Sequence, residues 1–203
     1  MSSIVEMPCE VIGGIFKNLG DLDSLESAIL TCRHFYVSYH ESHGVEATIL
    51  SRQITPALLP YSIAQIGAEH LVVHNTAPLL NDLETKPASY WVEKLAELSK
   101  SEKKKMSRLY CMVETMAMEF GARAWEHIPN TPEACPRFVL LPSEYFRFCR
   151  IFYRVELCTS ICSKNEFGNQ GCSSWFLQRY PPWENEQMAC VYEYLGASFL
   201  ESK

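Results

Sequence analysis

The sequence predicts an all-α protein, with an N-terminal three-helix module followed by an irregular helical domain. Three observations carry that expectation. The opening residues show short apolar stripes at helical spacing, each bounded by a start or stop residue. Met106, Leu109, Val113, Met116 and Phe120 repeat at alternating three- and four-residue steps, the spacing of helix packing. The segment from Glu144 to Leu157 is apolar almost all round, the mark of a central helix.

The elements follow in order. Pro8 lacks an N–H and has a fixed φ, so it suits the first turn of a helix. Glu10 lies in that turn, where the helix dipole favours a carboxylate. Val11, Ile12, Ile15, Phe16 and Leu19 form the apolar stripe, and Gly20 is the expected stop. Gly13-Gly14 weakens this helix, each glycine costing about 1 kcal/mol relative to alanine, unless a partner holds it in place. Asp23 is the expected cap of the second helix, with Glu26 at the reciprocal position. Its apolar face is Leu25, Ala28 and Ile29. Thr31 is the expected cap of a third helix whose apolar members are Cys32, Phe35, Tyr36 and Tyr39.

Gly44 ends that helix, and Val45 to Gln53 reads as another. After Pro56, two brief helices are expected over 57–68 and 71–73, then a loop from Asn75 to Pro87. Tyr90 to Leu98 is amphipathic. Lys100 and Lys103-Lys104-Lys105 read as a solvated linker into the long helix from Met106 to Trp125. The segment from His127 to Pro136, with three prolines, reads as a hinge loop. Ser143 is the expected cap of the central helix, and Asn165 to Ser174 reads as an exposed loop. The last helix opens at Pro181-Pro182-Trp183-Glu184. No solenoid or propeller period is present.

The run Met7-Pro8-x-Glu10-Val11-Ile12-x-x-Ile15-Phe16-x-x-Leu19, then Leu22-x-Ser24-Leu25, then Cys32-Arg33-x-Phe35-Tyr36, resembles an F-box. That family docks proteins onto the Skp adaptor of cullin-type ubiquitin ligases. The resemblance implies an adaptor-binding module over residues 1–44 and a helical substrate-binding or scaffold region over 45–203. It implies adaptor contact through Met7, Pro8, Ile12, Ile15, Leu19, Leu22 and Leu25, a protein substrate, a cullin reached through the adaptor, and no cofactor. Met7 stands where the family usually has leucine, a volume-conserving change. The carboxy-terminal pattern is similar to the all-helical regions of filamentous-fungal F-box-like proteins: an Arg-rich aromatic helix, a polar loop, then Pro-Pro-Trp-Glu leading into Cys190-Val191-Tyr192-Glu193-Tyr194-Leu195. That similarity adds no substrate.

Composition narrows the function classes. A formal net charge of -6 over 203 residues disfavours nucleic acid as a main partner, because phosphate binding needs a concentrated basic face. No stretch has the apolar length of a membrane span, and the first residues do not read as a signal peptide. Nine cysteines, an odd number, suit reduced and buried thiols. A cytoplasmic or nuclear location is therefore expected.

Sharper chemistry finds little support. Cys149, Cys158, Cys162 and Cys172 lack a C-x-x-C pair, so a zinc site is disfavoured. A cysteine nucleophile with His70, His74 or His127 has no local signature, and no catalytic residue is expected. Arg147, Arg150 and Arg154 share one edge of the central helix and read as an ion-paired or snorkelling stripe in preference to a phosphate or carboxylate clamp. The four tryptophans read as core, with Trp175 and Trp183, which flank a loop, best placed for a binding surface. The rival to an adaptor-docking receptor is a helical interaction scaffold outside the ubiquitin ligase.

Overall fold

A computed structural model describes residues 7–70, 76–126, 139–163 and 174–201. The protein is all-α: among the described residues the regular structure is helical and no strand occurs. The helices are α1 (Cys9–Phe16), α2 (Leu22–Ile29), α3 (Arg33–Glu41), α4 (Val45–Gln53), α5 (Leu59–His70), α6 (Thr76–Thr85), α7 (Ala88–Glu97), α8 (Lys100–Glu126), α9 (Pro142–Cys162) and α10 (Pro182–Glu201). The chain divides into two compact units. One is Met1–Leu59 with Pro87–Leu109, and the other is Pro60–Lys86 with Tyr110–Lys203.

In the first unit α1 and α2 pack on α3, and α4 packs on α2 and α7. Ile12, Phe16, Leu25, Val45, Ile49, Leu50, Trp91 and Met106 are buried. Several boundaries differ from expectation for local reasons. The cap of α2 is Asp21, whose extended backbone lets its carboxylate accept from the Ser24 N–H at 2.6 Å. Asp23 falls inside the first turn, and Glu26 pairs with Lys104 instead of closing a capping box. Thr31 does not cap α3; its hydroxyl donates to the Ala28 carbonyl at 2.7 Å and helps close α2. The chain leaves α1 at Phe16, so Gly20 is not its stop. Gly44, at φ 70, makes the left-handed reversal into α4, a conformation glycine adopts at little cost.

The lysine run is not a linker. It forms the first turns of α8, started by a reciprocal capping box. The Ser99 N–H donates to Glu102 Oε2 at 2.7 Å, and the Glu102 N–H donates to Ser99 Oγ at 3.3 Å.

In the second unit α9 is the central element, with Ile151, Phe152, Tyr153, Val155, Leu157, Cys158 and Ile161 buried and α10 packed against it. Leu141 is its N-cap, because Pro142 takes the first helical position; Glu144 accepts from the Leu141 N–H at 2.9 Å, and Ser143 does not cap. Phe120 meets Phe148 and Tyr194 edge-on at 5.3 Å. Residues 76–85, expected as loop, are helical. Pro78 stands in the first turn of α6, where no N–H is required, and Leu80 is buried. The expectations for 71–73, for 127–136 and for most of 165–174 lie outside the described residues.

Burial pushes the Cys149 thiol up to about 11, against a hydrogen bond from Tyr145 that acts the other way. Burial likewise lifts the Tyr180 phenol to about 12. Both folded values lie above their unfolded ones, so the unfolded state ionises first as pH rises. The associated stability is fully present below pH about 9 and is lost as pH climbs through about 11. The midpoint of urea unfolding is expected to fall steadily over that window, and a flat profile would contradict the assignment.

Candidate functional site

The residues singled out near the N-terminus lie on or beside α1 and α2, and α1 is fixed at both ends. At its start, His34 Nε2 donates to the Met7 carbonyl at 2.9 Å. At its end, Arg52 Nη1 donates to the Lys17 carbonyl at 3.0 Å and to Asn18 Oδ1 at 2.7 Å. Between them Phe16 meets Phe35 edge-on at 5.6 Å. An eight-residue helix is too short to be stable alone, so these ties and the packing on α3 hold it.

Two apolar stripes run along α1. Ile12 and Phe16 form the inner one, with Ile12 only 1% exposed. Val11 and Ile15 form the outer one, at 48% and 42% exposure, beside exposed Met7 and Pro8 and half-buried Leu19. The seven singled-out positions therefore divide. Met7, Pro8 and Ile15 face outward, Leu19 is intermediate, and Ile12, Leu22 and Leu25 are packed inside. Val11 was not among the seven, although its four-residue step to Ile15 and Leu19 was a readable signal.

The two glycines of α1 have different reasons. A Cβ on Gly13 would meet Ser42 Oγ at 2.0 Å and Ser42 Cβ at 3.0 Å, so the chain after α3 approaches α1 where only a hydrogen fits. Gly14 faces open space. Gly13→Ala is expected to cost about 1–3 kcal/mol by overpacking. Gly14→Ala is expected to gain about 1 kcal/mol from helix propensity. Urea denaturation of the two variants should show midpoints moving in opposite directions; a parallel shift would refute the close approach at Ser42.

Elsewhere, Arg150 Nη2 and Arg154 Nη1 donate to opposite oxygens of Glu184, at 3.2 and 2.5 Å. The arginine edge thus grips the chain's own carboxylate, while Arg147 is exposed. Cys158 and Cys162 stack one turn apart with sulfurs 3.9 Å apart, both buried. Among the described residues no group of three His, Cys, Asp or Glu is placed to hold a metal ion. Cys172, His74 and His127 lie outside the described residues, as does the side chain of His70. Trp91 is buried, whereas Trp175 and Trp183 are exposed. No helix among the described residues is long and apolar enough to cross a membrane. No protein-family model matches the chain, and neither a curated protein nor a solved structure does.

Proposed function

We propose that the chain is the substrate-receptor subunit of an SCF-type cullin-RING ubiquitin ligase. It docks to the Skp adaptor through the N-terminal module and recruits a protein substrate through residues 45–203. The observation that supports this best is the outer stripe of α1: Met7, Pro8, Val11 and Ile15 stand exposed on a helix whose other face is buried. The chain acts by proximity, raising the concentration of substrate near the ligase, and the chemistry belongs to other subunits. It takes no cofactor and works in the cytoplasm or nucleus.

Magnitudes bound this reading. Fully burying an aliphatic side chain yields about 1.5–3 kcal/mol, and these are already half-covered, so Met7, Val11 and Ile15 together offer roughly 3–4 kcal/mol. Association costs of about 4 kcal/mol or more exceed that. The interface therefore extends past α1.

Coexpression with a Skp adaptor tests the reading: the two should copurify, and failure to do so removes it. If they do copurify, cullin in cell pull-downs separates a ligase receptor from the alternative, a helical scaffold outside the ligase. The inward packing of Ile12, Leu22 and Leu25 is what favours that alternative, since it leaves a smaller docking surface.

A further inference from the structure

The first unit holds a second apolar feature, to which α1 contributes nothing. Leu22, Leu25 and Ile29 recur at three- and four-residue steps on α2 and wall a hollow of about 160 Å³. Leu30 and Tyr36 complete the walls, and Leu30 is 78% exposed. Charged side chains complete the lining. Lys104 is paired with Glu26, and Glu46 accepts a hydrogen bond from the Tyr39 hydroxyl. Lys100 lies over the Tyr39 ring, 4.7 Å from its centroid, and among the described residues no carboxylate is within ion-pair distance of its ammonium.

Size and charge select an occupant. A cavity of about 150 Å³ walled by Leu, Ile and Phe takes up benzene, so one ring or a similar branched alkyl group fills this hollow. Two ammoniums against two carboxylates leave the lining neutral, so no broad field attracts an anion. Glu26 is paired with Lys104 and also feels the Lys100 charge through space, and one oxygen of Glu46 is already occupied by Tyr39. Lys100 is the group left to meet a carboxylate directly.

We propose that this hollow binds a small monocarboxylic acid with a ring-sized apolar body. The ring lies against Leu22, Leu25 and Ile29, and the carboxylate meets Lys100. The proposal does not depend on adaptor docking and is tested on the chain alone.

The test is a methyl-resolved NMR titration of the full chain with phenylacetate and, in parallel, with its uncharged counterpart phenylethanol. Phenylacetate should produce saturable shifts centred on the methyls of Leu22, Leu25, Ile29 and Leu30, with a Kd on the order of a millimolar. It should bind at least about threefold more tightly than phenylethanol, the scale of an exposed ion pair. Lys100→Met should erase that difference while leaving phenylethanol unaffected. Leu30→Ser should weaken both ligands without unfolding the chain, because Leu30 is exposed. Absence of saturable shifts at these methyls, or equal binding of acid and alcohol with Lys100→Met silent, would overturn the proposal.

Discussion

Glu184→Gln is expected to cost the protein about 3–5 kcal/mol, the scale of breaking a buried ion pair from one side. The carboxylate serves two guanidiniums, and Arg154 is only 7% exposed. Arg154 is also packed against aromatic faces, 4.3 Å from the Tyr180 centroid and 5.8 Å from that of Tyr61. An amide at position 184 keeps the shape and one acceptor, but it leaves two positive charges facing each other in a poorly solvated place. Glu184 lies in the first turn of α10, so its charge also complements the dipole there.

The same physics predicts a rescue. Replacing all three groups together, Arg150→Met, Arg154→Met and Glu184→Leu, should recover most of the stability, since apolar side chains of similar volume bear no desolvation cost. Urea unfolding monitored by circular dichroism measures both variants. A loss under about 1 kcal/mol for Glu184→Gln would mean that the clamp behaves as a solvated surface pair.

Much of the fold was legible because long periodic segments leave little choice. The stepping from Met106 to Phe120 belongs to α8, and the near-continuous apolar run from Glu144 to Leu157 belongs to central α9. Val45–Gln53 emerged with its predicted ends. What failed was local. Asp21 and Asp23 are both good caps by residue type, and only the backbone at Asp21 decides between them. Composition disguised the start of α8, where a lysine-rich run surrounds the capping pair of Ser99 and Glu102. In α6, a segment expected as loop is helical, since Pro78 stands in the first turn, where a proline is tolerated.

Exposure along α1 was legible only in part, for a different reason. Helix α1 is apolar on two sides, and both stripes keep four-residue spacing: Ile12 with Phe16, Val11 with Ile15. Spacing cannot say which of them α3 covers. The resemblance to the F-box put Ile12 and Ile15 in one adaptor contact, whereas Ile12 is buried and Ile15 is exposed. The hollow beside α2 was invisible to sequence because Lys100 and Lys104 arrive from far along the chain.

Those two stripes set up the sharpest contrast available for the adaptor reading. Ile15→Lys places an ammonium where the side chain is already 42% exposed, so the charge reaches water and stability should change by no more than about 1 kcal/mol. Adaptor capture should nevertheless be lost, because an unpaired charge would have to be desolvated at the centre of the contact. Ile12→Lys puts the same charge where only 1% of the residue is exposed, with no carboxylate partner supplied, and several kcal/mol of desolvation should unfold the first unit. Both variants lose the adaptor, yet only Ile15→Lys should keep the wild-type melting temperature and helical circular dichroism. Should folded Ile15→Lys still bring down the adaptor at wild-type yield, the outer stripe of α1 is not where the adaptor docks.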